Sequence, residues 1–242
     1  MAFPTVQGTQ TSSTNTAGTS HTFTLPASIA SGELLLLLVS IGSTAATFDA
    51  LAGWTELLDE SAAAGLKIIY RIATGGDANP TFTSSASTRS AGIAFRISFH
   101  DSATNAPQIG TTATGSSVNP NPPTCTPTGG AKDYLYIAVC GSSGEQADDG
   151  TYCTAFPTNY DSNQLEKTCG TAGTNLGGMI AAATRNLNAA SDDPGTFTVS
   201  ENAAWRAQTV VVHPATFTGA GPIVPDPQVA ITSPLVRGRL VA

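Results

Sequence analysis

The same four segments occur twice in this chain, in the same order and with the same character. Residues 31–98 run SGELLLLLVSIG, AGWTELLDE, GLKIIYRIATG and PTFTSSASTRSAGIAFRIS. Residues 131–214 run AKDYLYIAVCG, FPTNYDSNQ, NLGGMIAAATR and GTFTVSENAAWRAQTVVVHP. Each half opens on an apolar strand with a Gly or Ser edge and passes an aromatic-centred turn, at Trp54 in one and at Phe156 and Tyr160 in the other. A second apolar strand follows, then a TFT strand set by spacing to pair with a final apolar strand. A duplicated strand pattern constrains architecture before any single strand is assigned, and it points to a rigid shape.

Apolar residues alternate or run in short blocks between Gly, Pro, Asn and Asp, which is the signature of an all-β chain. Neither half can cover both faces of its own sheet, so the halves should share one core. The expected fold is therefore a single jelly-roll-like β-sandwich built from two repeated halves. The expected divisions are an N-terminal strand or arm over 1–19 and a sandwich over 20–214, with halves of about 20–104 and 105–214. A Pro-rich extended arm follows over 215–242. Strands are expected near Thr5–Thr11 and Ser20–Leu25 at the start, with Thr81–Thr83 separate from Gly92–His100. Tandem immunoglobulin-like domains fit less well, because no Cys-Trp-Cys pattern is present.

Charged residues make up 11% of the chain, and 40% is apolar, so the body can bury a core. Its polar surface must be Thr, Ser, Asn and Gly, which suits twisted sheets with many turns. The net charge of −7, with Lys67, Lys132 and Lys167 dispersed, argues against nucleic acid. The run Leu34–Val39 is apolar but far short of the ~20 residues a membrane helix needs. The opening MAFPTVQGTQTSS lacks a basic region and a long apolar core, so no signal peptide is expected.

Four cysteines, Cys125, Cys140, Cys153 and Cys169, show no C-x-x-C spacing, so zinc and dithiol chemistry lack support. Cys153 and Cys169 bracket a long loop, and a disulfide between them would stabilise it by about 3 kcal/mol. Cys125 with Cys140 is a second possible pair, and free thiols are the alternative in a reducing cytoplasm. His21, His100 and His213 lie at or in strands, with no metal-pair spacing. His100–Asp101 could orient an imidazole, but no nucleophile elbow accompanies it. The acidic group Glu145, Asp148 and Asp149 lacks calcium-loop spacing, and Asp192–Asp193 read as a turn. No catalytic, metal or cofactor site is expected. Trp54, Tyr160 and Trp205 could stack on sugars, but Trp54 and Tyr160 occupy equivalent repeat positions, and core plugs at the sandwich ends explain them more simply.

The second half carries two insertions, GSSGEQADDGTYC and EKTCGTAGTN, which in a repeated scaffold can concentrate on one rim. The arm holds Pro222, Pro225, Pro227 and Pro234, which disfavour helix and interior sheet. Its apolar and basic residues, Ile231, Leu235, Val236, Arg237, Arg239 and Leu240, are the expected contacts with a partner.

The strings LPASIASGELLLLLVS, AGWTEL, IIYRIATG and TFTSSASTRSAGIAFRIS, in that order, resemble a recurrent family of tailed-bacteriophage and prophage virion proteins. The resemblance covers roughly Ser20–Pro214 and rests more on order than on any one motif. It implies a non-enzymatic β-sandwich, made in the host cytoplasm and displayed on the particle exterior, most simply a capsid decoration (cement) protein. Its partners would be the major capsid protein or other virion subunits. A homo-oligomer is implied too, with a trimer among its forms. The alternative is a tail-associated carbohydrate- or receptor-binding module using the inserted loops and the aromatics Tyr152 and Tyr160.

Overall fold

The computed structural model describes residues 2–42, 46–61, 64–143, 151–170 and 177–216. The arm residues Ile231, Leu235, Val236, Arg237, Arg239 and Leu240 lie outside these, as do Glu145, Asp148 and Asp149. The described residues contain strands and no helix. In chain order the strands of the first half are β1 (Thr5–Thr22), β2 (Leu34–Ile41), β3 (Thr55–Glu60), β4 (Gly65–Ile72) and β5 (Thr81–Ser98). Those of the second half are β6 (Gln108–Ile109), β7 (Ala113–Ser117), β8 (Lys132–Ser142), β9 (Cys153–Ala155), β10 (Ser162–Cys169), β11 (Gly178–Ala189), β12 (Thr198–Val199) and β13 (Ala203–Val212).

The first half forms one antiparallel sheet in the order β1-β5-β2-β4-β3. The second half forms another, read from its β6 and β7 edge as β13, β8, β11 and β10. Matching strands occupy matching places, so the sequence repeat is also a repeat of topology. The short pair β9–β12 belongs to the second half alone. The sheets face each other with β1 over β10, β5 over β10 and β11, β2 over β11 and β8, and β4 over β8 and β13. The central contacts, β5 with β11, β2 with β11 and β8, and β4 with β8 and β13, map onto one another when the halves are exchanged, whereas those of β10 with β1 and β5 have no counterpart of like extent. A jelly roll would interleave strands of both halves across both sheets; here each half keeps its own sheet.

Why each half tolerates this is legible in β2, where every residue from Leu34 to Ile41 is buried. Alternate residues of a strand point to opposite faces. Leu34, Leu36 and Leu38 enter the core between the sheets, with Ile93, Phe95, Ile137, Val139, Ile180 and Val210. Leu35, Leu37 and Val39 point the other way and are covered by Phe23, Phe48 and Phe82. The second sheet is sealed likewise: Tyr134, Tyr136, Ala181 and Trp205 are covered by Tyr152, Tyr160 and Phe197. The two halves share the middle core, as expected, and each also caps its own outer face.

The first cap comes from a long ribbon. β1 and β5 pair from Thr5↔Ser98 to Thr22↔Thr81, as two continuous strands where the sequence pattern suggests four short ones. No boundary falls near residue 19, and β1 is the edge strand of the first sheet. Register shifts at Val6/Gly8 and across Thr14–Ser20 let the ribbon bend, which is what bulges do. The bulged carbonyls are taken by arginines of β5: Arg96 Nη2 donates to Gln7 O at 3.0 Å and Arg89 Nε to Asn15 O at 2.7 Å. Past the bend, His21 holds the ribbon back on its own sheet through Ser90 Oγ at 2.8 Å and Ser84 Oγ at 3.0 Å.

Candidate functional site

The two ends of the sandwich differ. At one end β2, β8 and β10 finish and β11 begins, because Ile41 pairs with Gly65, Ser142 with Met179 and Cys169 with Gly178. Both insertions of the second half, flanking residues 144–150 and 171–176, therefore depart from this insertion pole. Here the sheets approach so closely that a Cβ on Gly178 would lie 2.7 Å from Gly42 Cα. Arg206 of β13 crosses to the other sheet, donating to Ala64 O at 2.7 Å and Ser61 O at 2.8 Å and pairing with Glu60 at 3.4 Å.

The chain re-entering after the first insertion is anchored by Glu166 of β10, whose Oε1 accepts from Tyr152 N at 2.6 Å and Cys153 N at 2.7 Å. Burial raises the Glu166 carboxyl above its ordinary value, and these two N–H groups oppose the rise. Tyr152 is itself fully buried, its hydroxyl 3.1 Å from Ser142 Oγ.

The opposite end is the arm pole, where β1 begins and β13 ends. His100 bridges to Pro214, Asp101 N donates to His213 O at 3.0 Å, and Ala215 N to Phe99 O at 2.9 Å. These bonds join the end of the first half to the end of the second, directly before the arm. Phe99 holds a left-handed φ of 56° and is 51% exposed. Such a conformation is costly for a bulky residue.

His100 is a structural member of this junction. Ser102 N donates to its Nδ1 at 3.1 Å, so Nε2 carries the proton and donates to Gly32 O at 3.0 Å. Asp101 does not orient it; its carboxylate takes Asn105 Nδ2 at 2.5 Å. His213 is buried edge-on against Tyr134 at 5.2 Å, with neither ring nitrogen hydrogen-bonded among the described residues. Burial is the main cause that lowers the His100 and His213 imidazoles below their ordinary value.

The Cys153–Cys169 bridge is not formed. Cys169 packs in the core between the sheets and Cys153 in the cluster on the outer face of the second sheet, so the sheet itself separates them. All four cysteines are buried, and none is joined in a disulfide. Tyr152 and Tyr160 are likewise enclosed and offer no ring to a sugar. Trp54, before β3, and Tyr160, before β10, occupy the matching positions that the repeat predicts.

Of two buried polar hubs, only one has a sequence signal, and a faint one. Asp192, read as a turn residue, receives the Tyr160 hydroxyl at 2.6 Å and Arg185 at 2.9 Å, and its backbone pairs with Cys125. Lys67, 1% exposed, meets Glu56 at 2.8 Å and Asp59 at 2.7 Å. The alternation of TELLDE beside GLKII hints at the second hub, since β3 and β4 place Asp59 opposite Lys67. No sequence signal marks the first. Both hubs are satisfied ionic groups that hold cover segments in place, as buried charges require. No group of three or more His, Cys, Asp or Glu with metal-binding geometry occurs among the described residues.

One side of the sandwich is open. Where β1 lies over β10, near the arm pole, a cavity of about 190 Å³ has an aliphatic wall of Pro4, Val6 and Leu135. Its polar lining is Thr5, Ser162, Asn163, Thr184 and Asn186. Asn163 adopts φ 45° at a bulge between Ser162 and Leu165. Its Nδ2 donates to Thr184 Oγ1 at 2.9 Å, which in turn donates to Ser162 O at 3.1 Å.

Compared with models of known protein families, with curated proteins and with solved structures, the chain has no match.

Proposed function

We propose that this protein is a non-enzymatic virion component, a capsid decoration protein that stabilises a phage head from outside. The observation that carries the reading is the polarity of the sandwich. The chain leaves for the arm at Pro214–Thr216, from one pole, while both insertions of the second half depart from the other. A body fastened to a shell by its arm would present the insertions outward. The order of the repeated segments, with its resemblance to phage virion proteins, supports the same assignment. The doubly capped sheets, joined across the halves by Arg206 and by the His100–Pro214 bridge, suit a part whose task is mechanical.

On this reading the arm residues Ile231, Leu235, Val236, Arg237, Arg239 and Leu240 bury apolar surface and place basic groups on major capsid protein. Burial of that kind adds association energy at roughly 25 cal/mol per Å² of apolar area, less the cost of ordering the arm. A homo-oligomer, including a trimer on a symmetry axis, would multiply the effect. Electron microscopy of particles carrying a labelled copy tests the assignment. Label distributed over the head is the expected result. Label confined to the tail would favour the tail-associated receptor-binding alternative, and unlabelled particles would refute both.

A further inference from the structure

The open cleft between β1 and β10 has the chemistry of a binding site, and nothing in the scaffold role uses it. Its polar groups are amides and hydroxyls, and no side chain lining it is ionisable. A charged ligand entering it would lose hydration without gaining a counter-charge, which is strongly unfavourable. A purely apolar ligand would leave the amides unpaired. The lining instead matches a molecule with neutral hydroxyls on its rim and C–H groups on its faces.

Asn163 and Thr184 are also held in place. Asn163 sits in a left-handed conformation at a bulge, a device that re-aims side chains and clusters at functional sites. Its Nδ2 is committed to Thr184, which leaves its side-chain carbonyl as an acceptor. The Ser162 hydroxyl and the Asn186 amide are uncommitted among the described residues, and Val6 and Leu135 supply the apolar wall.

We propose that this cleft binds a neutral saccharide unit, with Asn163 and Asn186 reading its hydroxyl or acetamido groups and the Val6–Leu135 wall packing on its ring. The site is independent of the arm, so the decoration reading stands or falls separately. The cleft is small and half-open, in keeping with one ring of a longer glycan.

The test is an amide chemical-shift titration of the full chain with glucose, galactose, N-acetylglucosamine and, as a charged control, glucuronate. The expected result is saturable shifts at Thr5, Val6, Asn163 and Asn186 with at least one neutral sugar and none with glucuronate. Asn186→Ala, at an exposed position, should weaken binding roughly tenfold without changing the melting temperature; Asn163→Gly, which keeps the left-handed backbone available but gives up the Thr184 bond, should weaken binding by a like factor with a small fall in melting temperature. Three results would overturn the proposal: no saturable shifts at the cleft with any neutral sugar, equal binding of glucuronate, or binding that survives both substitutions.

Discussion

Gly92 lies directly beneath the Phe23 ring, so closely that a Cβ on it would sit 2.4 Å from Phe23 Cδ1. Phe23 comes from the returning ribbon, and Gly92 from the part of β5 that pairs with β2, so this contact seats the cap on the first sheet. Gly92→Ala must push the ring out of the aromatic cluster it forms with Phe48 and Phe82. We expect a loss of about 3 kcal/mol in denaturant unfolding, the upper range for overpacking. Because the clash needs the ring, Phe23→Ala with Gly92→Ala should cost little more than Phe23→Ala alone. Additive losses in that cycle would refute the contact.

The strands most visible in the sequence are those whose burial is written in every residue. LLLLLV and YLYIAV can only be strands covered on both faces, and β2 and β8 are that. The ribbon was less legible, because TVQGTQTSSTNTAGTSHT has no apolar alternation; its continuity is set by pairing with β5. The assignment of each half to its own sheet is tertiary, since the same local pattern serves either sheet arrangement. The cleft could not be read at all: Thr5, Asn163 and Asn186 are remote in sequence, and the left-handed turn at Asn163 has no glycine to announce it. Asp192 was hidden for the same reason, its partners Tyr160 and Cys125 being distant along the chain.

Acid should weaken the fold. His21, His100 and His213 all have imidazoles held below the ordinary value of 6.5, chiefly by burial. As pH falls through that value the unfolded chain takes up protons that the folded chain refuses, so stability is full above it and declines below it. Melting curves between pH 7.5 and 5 should show this decline. His213→Phe, which keeps the edge-on packing against Tyr134 and removes an imidazole with no hydrogen-bond partner among the described residues, should lessen it. An unchanged slope in that variant would contradict the assignment.

The thiols should be inert while the protein is folded. Burial pushes Cys125 up to about 11, Cys153 up to about 12 and Cys140 well above its ordinary value, and the thiolate is the reactive form. A thiol reagent at neutral pH should label none of the four in native protein and all four after denaturation. If Cys153 and Cys169 are the two that remain unlabelled after denaturation without reductant, they are bridged and their separation by the sheet is wrong.

The central claim, that the sandwich is a self-sufficient body fastened to a shell by its arm, is tested most directly by removing the arm. A chain ending at Thr216 keeps the Ala215–Phe99 bond and the His100–Pro214 bridge. Its cosedimentation with shells lacking this protein should be measured beside its melting temperature. The account predicts an unchanged melting temperature and loss of shell binding. Shell binding equal to that of the full chain would contradict it.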